Sequence, residues 1–335
     1  MLHQKKQKNK MKKQIQVWKL IDKSLQQNIA IMLLYVLESK GSSPGRQGFF
    51  MAVNANEEME GSIGGGMMEY KLVELAKEKL NDNIKIESPL VKKQIHDKLS
   101  SKNQSGMICS GEQTVVLYQI KNEEQQTIQQ IIDCLEKNKN GCLQLLPNKI
   151  LFSSEMPSFN FLFEMKSEED WRYEERIGYK NQLYIIGGGH CALAFSKLMC
   201  GMDFYIRLYD DRENLKTFVA NEYVHEKILV KNYSELKELI PSGKNVFVAV
   251  MTFGYRTDDI VVRALLEKDF KYFGLMGSKK KIEKMFDDYT KEGIEEKLLE
   301  KIHSPIGLFI KSETPEEIAI SIAAEIIQIK NFPVL

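Results

Sequence analysis

Cysteine is scarce in this chain and forms no C-x-x-C pair. Cys109, Cys134, Cys142, Cys191 and Cys200 are odd in number and irregularly spaced, which argues against a disulfide framework or a zinc ribbon and for a reducing, cytoplasmic compartment. An excess of either charge is also missing: the formal net charge is +1, without the surplus of Lys and Arg expected of a protein whose main partner is nucleic acid. No uninterrupted apolar run approaches membrane-spanning length. The first 14 residues are rich in Lys and Gln and lack the apolar stretch of a secretory signal, so they are expected to form a basic, disordered tail.

What remains is a soluble globular composition, 43% hydrophobic and 28% charged over 335 residues, long enough for two domains with separate cores. The most informative stretch runs from Gln182 to Leu198. Leu183 to Ile186 is a short apolar run of the kind a strand buried on both faces requires, and it ends in Gly187, Gly188 and Gly189. Leu193, Ala194, Lys197 and Leu198 then fall at helical spacing. Gly187, Gly189 and Ala192 make the G-x-G-x-x-A pattern, in which bare backbone and the positive end of a new helix meet a pyrophosphate.

A second strand, Phe204 to Tyr209, runs into Asp210, Asp211 and Arg212, so an acid stands about 20 residues beyond the glycines, where a dinucleotide site places its ribose-binding carboxylate. Asp210 is assigned to the ribose hydroxyls. Arg207 and Arg212 leave NADP open beside NAD, and His190 next to the turn either donates to a ligand or caps the helix.

A second glycine-rich start of a helix lies at Gly61-Ser-Ile-Gly-Gly-Gly66, before the helical period of Met67 to Leu80. Three consecutive glycines are costly in conformational entropy; Gly64, Gly65 and Gly66 are explained by backbone N–H groups aimed at an anion, or by a tight turn where helix and strand approach. Glu69 in the first turn complements the helix dipole or serves as a functional carboxylate. Upstream, Glu38 to Gly48 reads as a loop carrying one cation, Arg46. Residues 81–103 read as polar and as ending in a loop. Cys109 sits by a Ser-Gly turn, where its thiol is either presented at a strand start or packed inertly.

Residues 153–180 have scattered aromatics and acids with no period, and are expected to be a linker between an N-terminal domain, 15–152, and a C-terminal domain, 181–335. In the latter, a third buried strand, Asn245 to Met251, leads into Thr252-Phe-Gly-Tyr-Arg-Thr-Asp-Asp259, placed where α/β folds make ligand contacts. Gly277, Ser278 and Lys279 open a further helix and suit an anion, although a lysine run is also an ordinary solvated face. Thr314, Pro315, Glu316 and Glu317 carry the start signals of the last helix.

Together these blocks resemble the xanthine dehydrogenase accessory protein family of the XdhC/CoxI type. The resemblance rests on Gly41-Ser-Ser-Pro with Arg46 and Gly48, on Gly61 to Gly66 with Glu69, and on Met107 to Glu112. It continues through Gly187 to His190, Asp210 to Arg212, Gly274-Leu-Met-Gly-Ser-Lys-Lys280, His303-Ser-Pro-Ile-Gly-Leu308 and Glu313 to Ala319. It implies an α/β protein with an N-terminal α/β domain of the XdhC/CoxI kind and a C-terminal Rossmann-type domain with a doubly wound parallel sheet.

The resemblance further implies a cofactor-maturation chaperone. Such a protein binds molybdenum cofactor, as molybdopterin or its dinucleotide form, assists its sulfuration by a cysteine desulfurase, and inserts it into the apo-enzyme of a molybdenum hydroxylase. A homodimer is implied as well. The ligand would lie in a cleft between the domains, its phosphate on the Gly187 turn with His190, Asp210, Asp211, Thr252, Gly277, Ser278, Lys279 and His303 near it. Its molybdenum end would face Gly64 to Gly66, Arg46, Glu69 and Cys109, the last as sulfur relay.

Two positions depart from the family pattern. Met67 stands where many members have Cys, and a thioether neither ionises nor carries a persulfide. Phe253 follows Thr252 where many members have His or Arg. Two other functions share the glycine turn: an NAD(P)-dependent oxidoreductase, for which no Tyr-x-x-x-Lys or His-Asp proton donor is found, and a nucleotide-sensing regulatory module.

Overall fold

The computed structural model describes residues 10–81, 88–95 and 111–332, which divide into two compact units, Lys10–Gly178 and a second beginning at Tyr179. Among the described residues no helix is long and apolar enough to cross a membrane.

In the first unit the amphipathic start folds as α1 (Lys10–Gln26), burying Val17, Trp18, Ile21 and Leu25. It leads into β1 (Ile31–Gly41), where every residue from Ile31 to Leu37 is buried. A strand with no solvent face needs cover on both sides. Alternate residues Met32, Leu34 and Val36 pack with Leu72, Val73, Ala76 and Leu80 of α2 (Gly66–Asn81). On the other side Tyr35 stacks on Phe50 at 5.1 Å and meets Tyr173 at 5.3 Å, while Phe50 touches Trp18 at 5.3 Å.

With β2 (Phe50–Asn54), β3 (Met59–Gly61), β4 (Leu90–Ile95) and β5 (Gly111–Gln119), this strand forms an antiparallel sheet in the order β3-β2-β1-β5-β4. Two expectations are corrected here. The start of the expected loop, Glu38 to Gly41, continues β1, and the polar stretch after residue 81 contains β4, an edge strand whose consecutive Lys92, Lys93 and Gln94 hide it from hydrophobic patterning.

The helix α3 (Gln125–Glu136) precedes a second antiparallel sheet. Its strands are β6 (Gly141–Leu146), β7 (Lys149–Ser153), β8 (Phe161–Met165) and β9 (Trp171–Ile177), ordered β7-β6-β9-β8. The linker expected over 153–180 is therefore not a linker; it supplies half of this sheet. Charge concealed it: Glu174 and Glu175 of β9 are 4% and 3% exposed, and carboxylates inside a strand erase its apolar alternation. Glu174 is satisfied by Arg172 and by Gln144 at 2.6 Å. Glu175 accepts from the hydroxyls of Tyr35 at 2.5 Å and Tyr173 at 2.9 Å, joining the two sheets through one buried acid.

The second unit is built on a six-stranded parallel sheet. Its strands are β10 (Asn181–Ile186), β11 (Phe204–Asp210), β12 (Glu226–Leu229), β13 (Gly243–Val250), β14 (Phe270–Leu275) and β15 (Ile302–His303). The spatial order β12-β11-β10-β13-β14-β15 is the doubly wound order of dinucleotide-binding folds, with the reversal of winding between β10 and β13.

Side chains alternate between two cores. Leu183, Ile185, Phe247 and Ala249 face α4 (His190–Met199) and α10 (Pro315–Asn331), whereas Tyr184, Ile186, Val246, Val248 and Val250 face α7 (Tyr255–Leu265) and α8 (Lys279–Lys291). Short helices α5 (Lys216–Val219), α6 (Leu236–Leu239) and α9 (Glu296–Leu299) complete the connections. The last helix starts as its sequence indicates: Thr314 Oγ1 accepts from Glu317 N at 3.2 Å, Glu317 returns the bond, and Pro315 is the first helical residue.

Candidate functional site

Three separated stretches meet in the first unit. A Cβ on Gly45 would collide with the carbonyl oxygen of Ile63, and one on Gly64 would lie 2.5 Å from Gly45 N, so the loops 41–48 and 61–66 touch backbone to backbone. A Cβ on Gly111 would lie 2.6 Å from the carbonyl carbon of Ser42, and the buried Ser43 hydroxyl donates to Gln113 Oε1 at 2.7 Å. Only glycine permits such approach.

Gly64, Gly65 and Gly66 have φ of +128°, +74° and +70°. A Cβ on Gly65 or Gly66 would meet nothing within 4 Å, so conformation and not crowding requires glycine there. The row of N–H groups already holds an anion, the protein's own. Glu69 Oε2 accepts from Ser62 Oγ at 2.7 Å, Ile63 N at 2.8 Å and Gly65 N at 2.9 Å. Glu69 is thus the internal occupant of the loop and not an additional ligand contact. Arg46 is exposed and donates to Gly41 O at 2.9 Å, with no carboxylate partner among the described residues. Met67 is 59% exposed in the first turn of α2. Cys109 lies outside the described residues.

In the second unit the carboxyl ends of the parallel strands carry the other cluster. Gly187 has φ +102°, and a Cβ there would collide with Met251 O and lie 2.8 Å from Thr252 Cα, which seats the β10 turn against the end of β13. Gly188 N donates to Asp210 Oδ2 at 2.6 Å. Gly189, the residue before α4, has φ −69° and open space where a Cβ would stand. The first amides of α4 point beyond it, as at any helix start. His190 is exposed and makes no hydrogen bond among the described residues, and Gly189 provides no side-chain cap, so the alternative of a capping histidine does not hold.

Asp210 does not face a ribose. It is fully buried, and besides Gly188 it accepts from Arg212 N at 2.9 Å, Arg212 Nε at 2.9 Å and Arg212 Nη2 at 2.8 Å. Burial works to raise its pKa, but the Arg212 guanidinium and the Gly188 and Arg212 amides outweigh it and hold the carboxyl below its ordinary value. The available acid at the end of β11 is Asp211, which accepts from Tyr233 at 3.3 Å and lies 3.7 Å from Arg212 Nε. Sequence spacing cannot separate two adjacent aspartates; burial does, since Asp210 closes the buried end of β11 and Asp211 is exposed just beyond it.

Lys279 lies on the solvated side of its helix. It is 84% exposed and pairs with Glu283 at 3.8 Å, whereas Lys281 turns inward onto the buried Asp258. Asp258 also accepts from the Thr252 hydroxyl at 2.6 Å, and Thr252 meets Thr257 at 2.6 Å. Burial raises the Asp258 pKa against the opposing pull of Lys281 and Thr252. Ser278 caps α8 by accepting from Lys281 N at 3.4 Å, beside Gly277. The inward face of α8 is set by Ile282, Met285 and Tyr289, and Lys281 borders it where Lys279 does not.

His303 stacks on Tyr272 at 4.8 Å and lies 3.3 Å from Glu325 Oε1, while Glu325 Oε2 accepts from Tyr272 at 2.5 Å and Gly307 N at 2.7 Å. Burial would raise the Glu325 pKa, but these donors bring it below the ordinary value. His303 is therefore part of a fastening of residues 303–308 to α10. Its partner Glu325 had no sequence signal beyond its place on the inner side of the last helix.

The second unit matches the profile of the XdhC Rossmann domain over residues 183–326, and residues 24–87 of the first match that of the XdhC and CoxI family. The chain belongs to the XdhC and CoxI family. Among curated relatives, a probable xanthine dehydrogenase component of Bacillus subtilis (strain 168) is 22% identical over 330 residues, covering 93% of this chain and 97% of its own length. An uncharacterized protein, YqeB of Escherichia coli (strain K12), is 23% identical over 311 residues. That match takes in 91% of this chain, which spans only 44% of the E. coli protein.

A crystal structure of a xanthine dehydrogenase from Bacillus halodurans shares the fold of this XdhC and CoxI family member, with a TM-score of 0.68 at 21% identity over 93% of this chain and 95% of the other. The glycine turn, Asp210 and Lys281 fall inside the segment matched by the XdhC Rossmann profile, and Gly64 to Gly66 with Glu69 inside the other.

Proposed function

We propose that this chain is an accessory protein in the maturation of a molybdenum hydroxylase of the xanthine dehydrogenase type, and that it binds molybdenum cofactor by the phosphate end. Support comes from family membership and from the probable xanthine dehydrogenase component of Bacillus subtilis among its relatives. The observation that carries the reading is the Gly187–His190 turn. Gly189 leaves open space in front of the first amides of α4, and the Arg212 guanidinium stands beside the same turn through Asp210.

The residues present fit the phosphate of the cofactor. In this reading the pterin of the cofactor carries the molybdenum. When bound, the cofactor supplies the metal centre that the recipient hydroxylase uses. The chain's own task is to hold the phosphate on the turn and orient the rest through Arg212, His190 and Asp211.

For sulfuration with a cysteine desulfurase, the relay proposed is Cys109. Burial pushes the Cys134, Cys142 and Cys191 thiols above their ordinary pKa, the opposite of a thiolate poised for relay. In a reconstituted transfer assay with apo-hydroxylase, desulfurase and cofactor, the full chain should raise hydroxylase activity. Cys109→Ala should abolish that gain while leaving cofactor binding intact. Equal activation with and without the chain would remove the accessory role.

A second reading, a nicotinamide dinucleotide on the same turn, is favoured by the strand order and by the exposed Asp211 just beyond β11, the acid this reading would use for ribose hydroxyls.

A further inference from the structure

Phe253 is 88% exposed on the short connection between β13 and α7. A single exposed aromatic is ordinary on a protein surface, so exposure alone decides nothing. Its surroundings do. The preceding residue, Thr252, is where the Gly187 turn rests: a Cβ on Gly187 would lie 2.7 Å from Met251 C and 2.8 Å from Thr252 Cα. The connection is also fixed on both sides. Thr252 is bonded to Thr257 and Asp258, each at 2.6 Å, and Gly254 directly precedes the first residue of α7. The ring thus stands on a braced backbone beside the glycine turn.

One buried acid ties the remaining parts together. Asp210 accepts from Gly188 N at 2.6 Å and from Arg212 Nη2 at 2.8 Å, and the Arg212 guanidinium carbon lies 5.9 Å from the Phe253 ring centroid. Glycine turn, fixed cation and exposed ring are therefore linked at the carboxyl end of the sheet, with Arg212 over one face of the Phe253 ring and the 88% exposed ring otherwise turned to solvent. A cation and free amides suit a phosphate; an open aromatic face suits a flat ring, which stacks with little regard to its substituents.

We propose that Phe253 is the stacking platform for the heteroaromatic ring, nucleobase or pterin, of a ligand whose phosphate lies on the Gly187–Gly189 turn. The proposal rests on the phosphate-binding reading above and adds the ring to it. It also gives Phe253, a departure from the family pattern, a positive role in selecting ring-bearing phosphates over phosphate alone.

Calorimetric titration of the full chain with ADP, with neopterin phosphate and with inorganic pyrophosphate tests this. Expected is tighter binding of at least one ring-bearing ligand than of pyrophosphate. Phe253→Ala should weaken that ligand about tenfold, within the range seen for one stacked base, and leave pyrophosphate unchanged, while Phe253→Tyr retains the affinity. ADP against neopterin phosphate separates nucleobase from pterin. If pyrophosphate binds but neither ring adds affinity, or Phe253→Ala binds the ring-bearing ligands as wild type does, the stacking role is overturned and the phosphate site stands. If none of the three binds, both fall.

Discussion

At the scale of single residues, the glycines separate into those the fold needs and those a ligand would need. Gly187 has φ +102° and is pressed against Met251, so Gly187→Ala strains the backbone and forces the turn off β13. A loss of about 1–3 kcal/mol is expected, read as a lower thermal midpoint. Gly189 has φ −69° and open space around it but is the N-cap of α4, so Gly189→Ala should lower the midpoint only by the cost of a poorer cap, about 0.5–1 kcal/mol, and should weaken pyrophosphate binding.

Asp210 makes a second residue-scale prediction. Its folded pKa is lowered, so it contributes stability that is present above the unfolded carboxyl value of about 3.9 and lost as pH falls through the folded value. Asp210→Asn should be clearly less stable than wild type at about pH 7, and the gap in urea midpoint should close towards about pH 3. A gap independent of pH would contradict the arrangement. The sequence marked this acid but not its use: spacing placed a carboxylate at the end of β11, while burial turned it onto Gly188 and Arg212.

Elements were legible where their side chains follow a period, and concealed where polar groups are buried in pairs. The strands β10 and β13 and the start of α10 could be read directly, since apolar runs and a Thr-Pro-Glu-Glu cap are local signals. The strand β9 could not, because the partners that make Glu174 and Glu175 tolerable inside it include Gln144 and Tyr35, which lie far away in sequence. The same holds for Lys281 with Asp258 and for Glu325 with Tyr272, which sequence alone leaves as surface charges. Glu175→Ala removes the acceptor from two buried tyrosine hydroxyls that join the sheets. The expected cost is about 1–3 kcal/mol for each hydroxyl left unpaired, measured by urea unfolding. An unchanged midpoint would show that β8 and β9 are not held as described.

At the scale of the whole chain, two glycine-rich entries to a helix, alike in their physics but not in their motif, differ in structure. The Gly64–Gly66 loop closes on its own Glu69, so its amides are largely taken. The Gly187–Gly189 turn spends two amides, Gly187 N on Tyr209 O at 2.8 Å and Gly188 N on Asp210 Oδ2 at 2.6 Å, and carries its third glycine, Gly189, at the start of α4, where a Cβ would meet nothing within 4 Å. On the proposed reading the phosphate of the cofactor lies on the second unit, and Glu69 shapes the loop of the first. Mass spectrometry of the small molecule that accompanies the full chain, purified from cells making molybdenum cofactor, tests this most directly. The expected result is a phosphorylated pterin, with or without a nucleotide, carried by the wild-type chain and lost from Gly189→Ala. A chain that purifies with no pterin from such cells, or a Gly189→Ala variant that carries it as fully as wild type, would contradict the proposed carrier role.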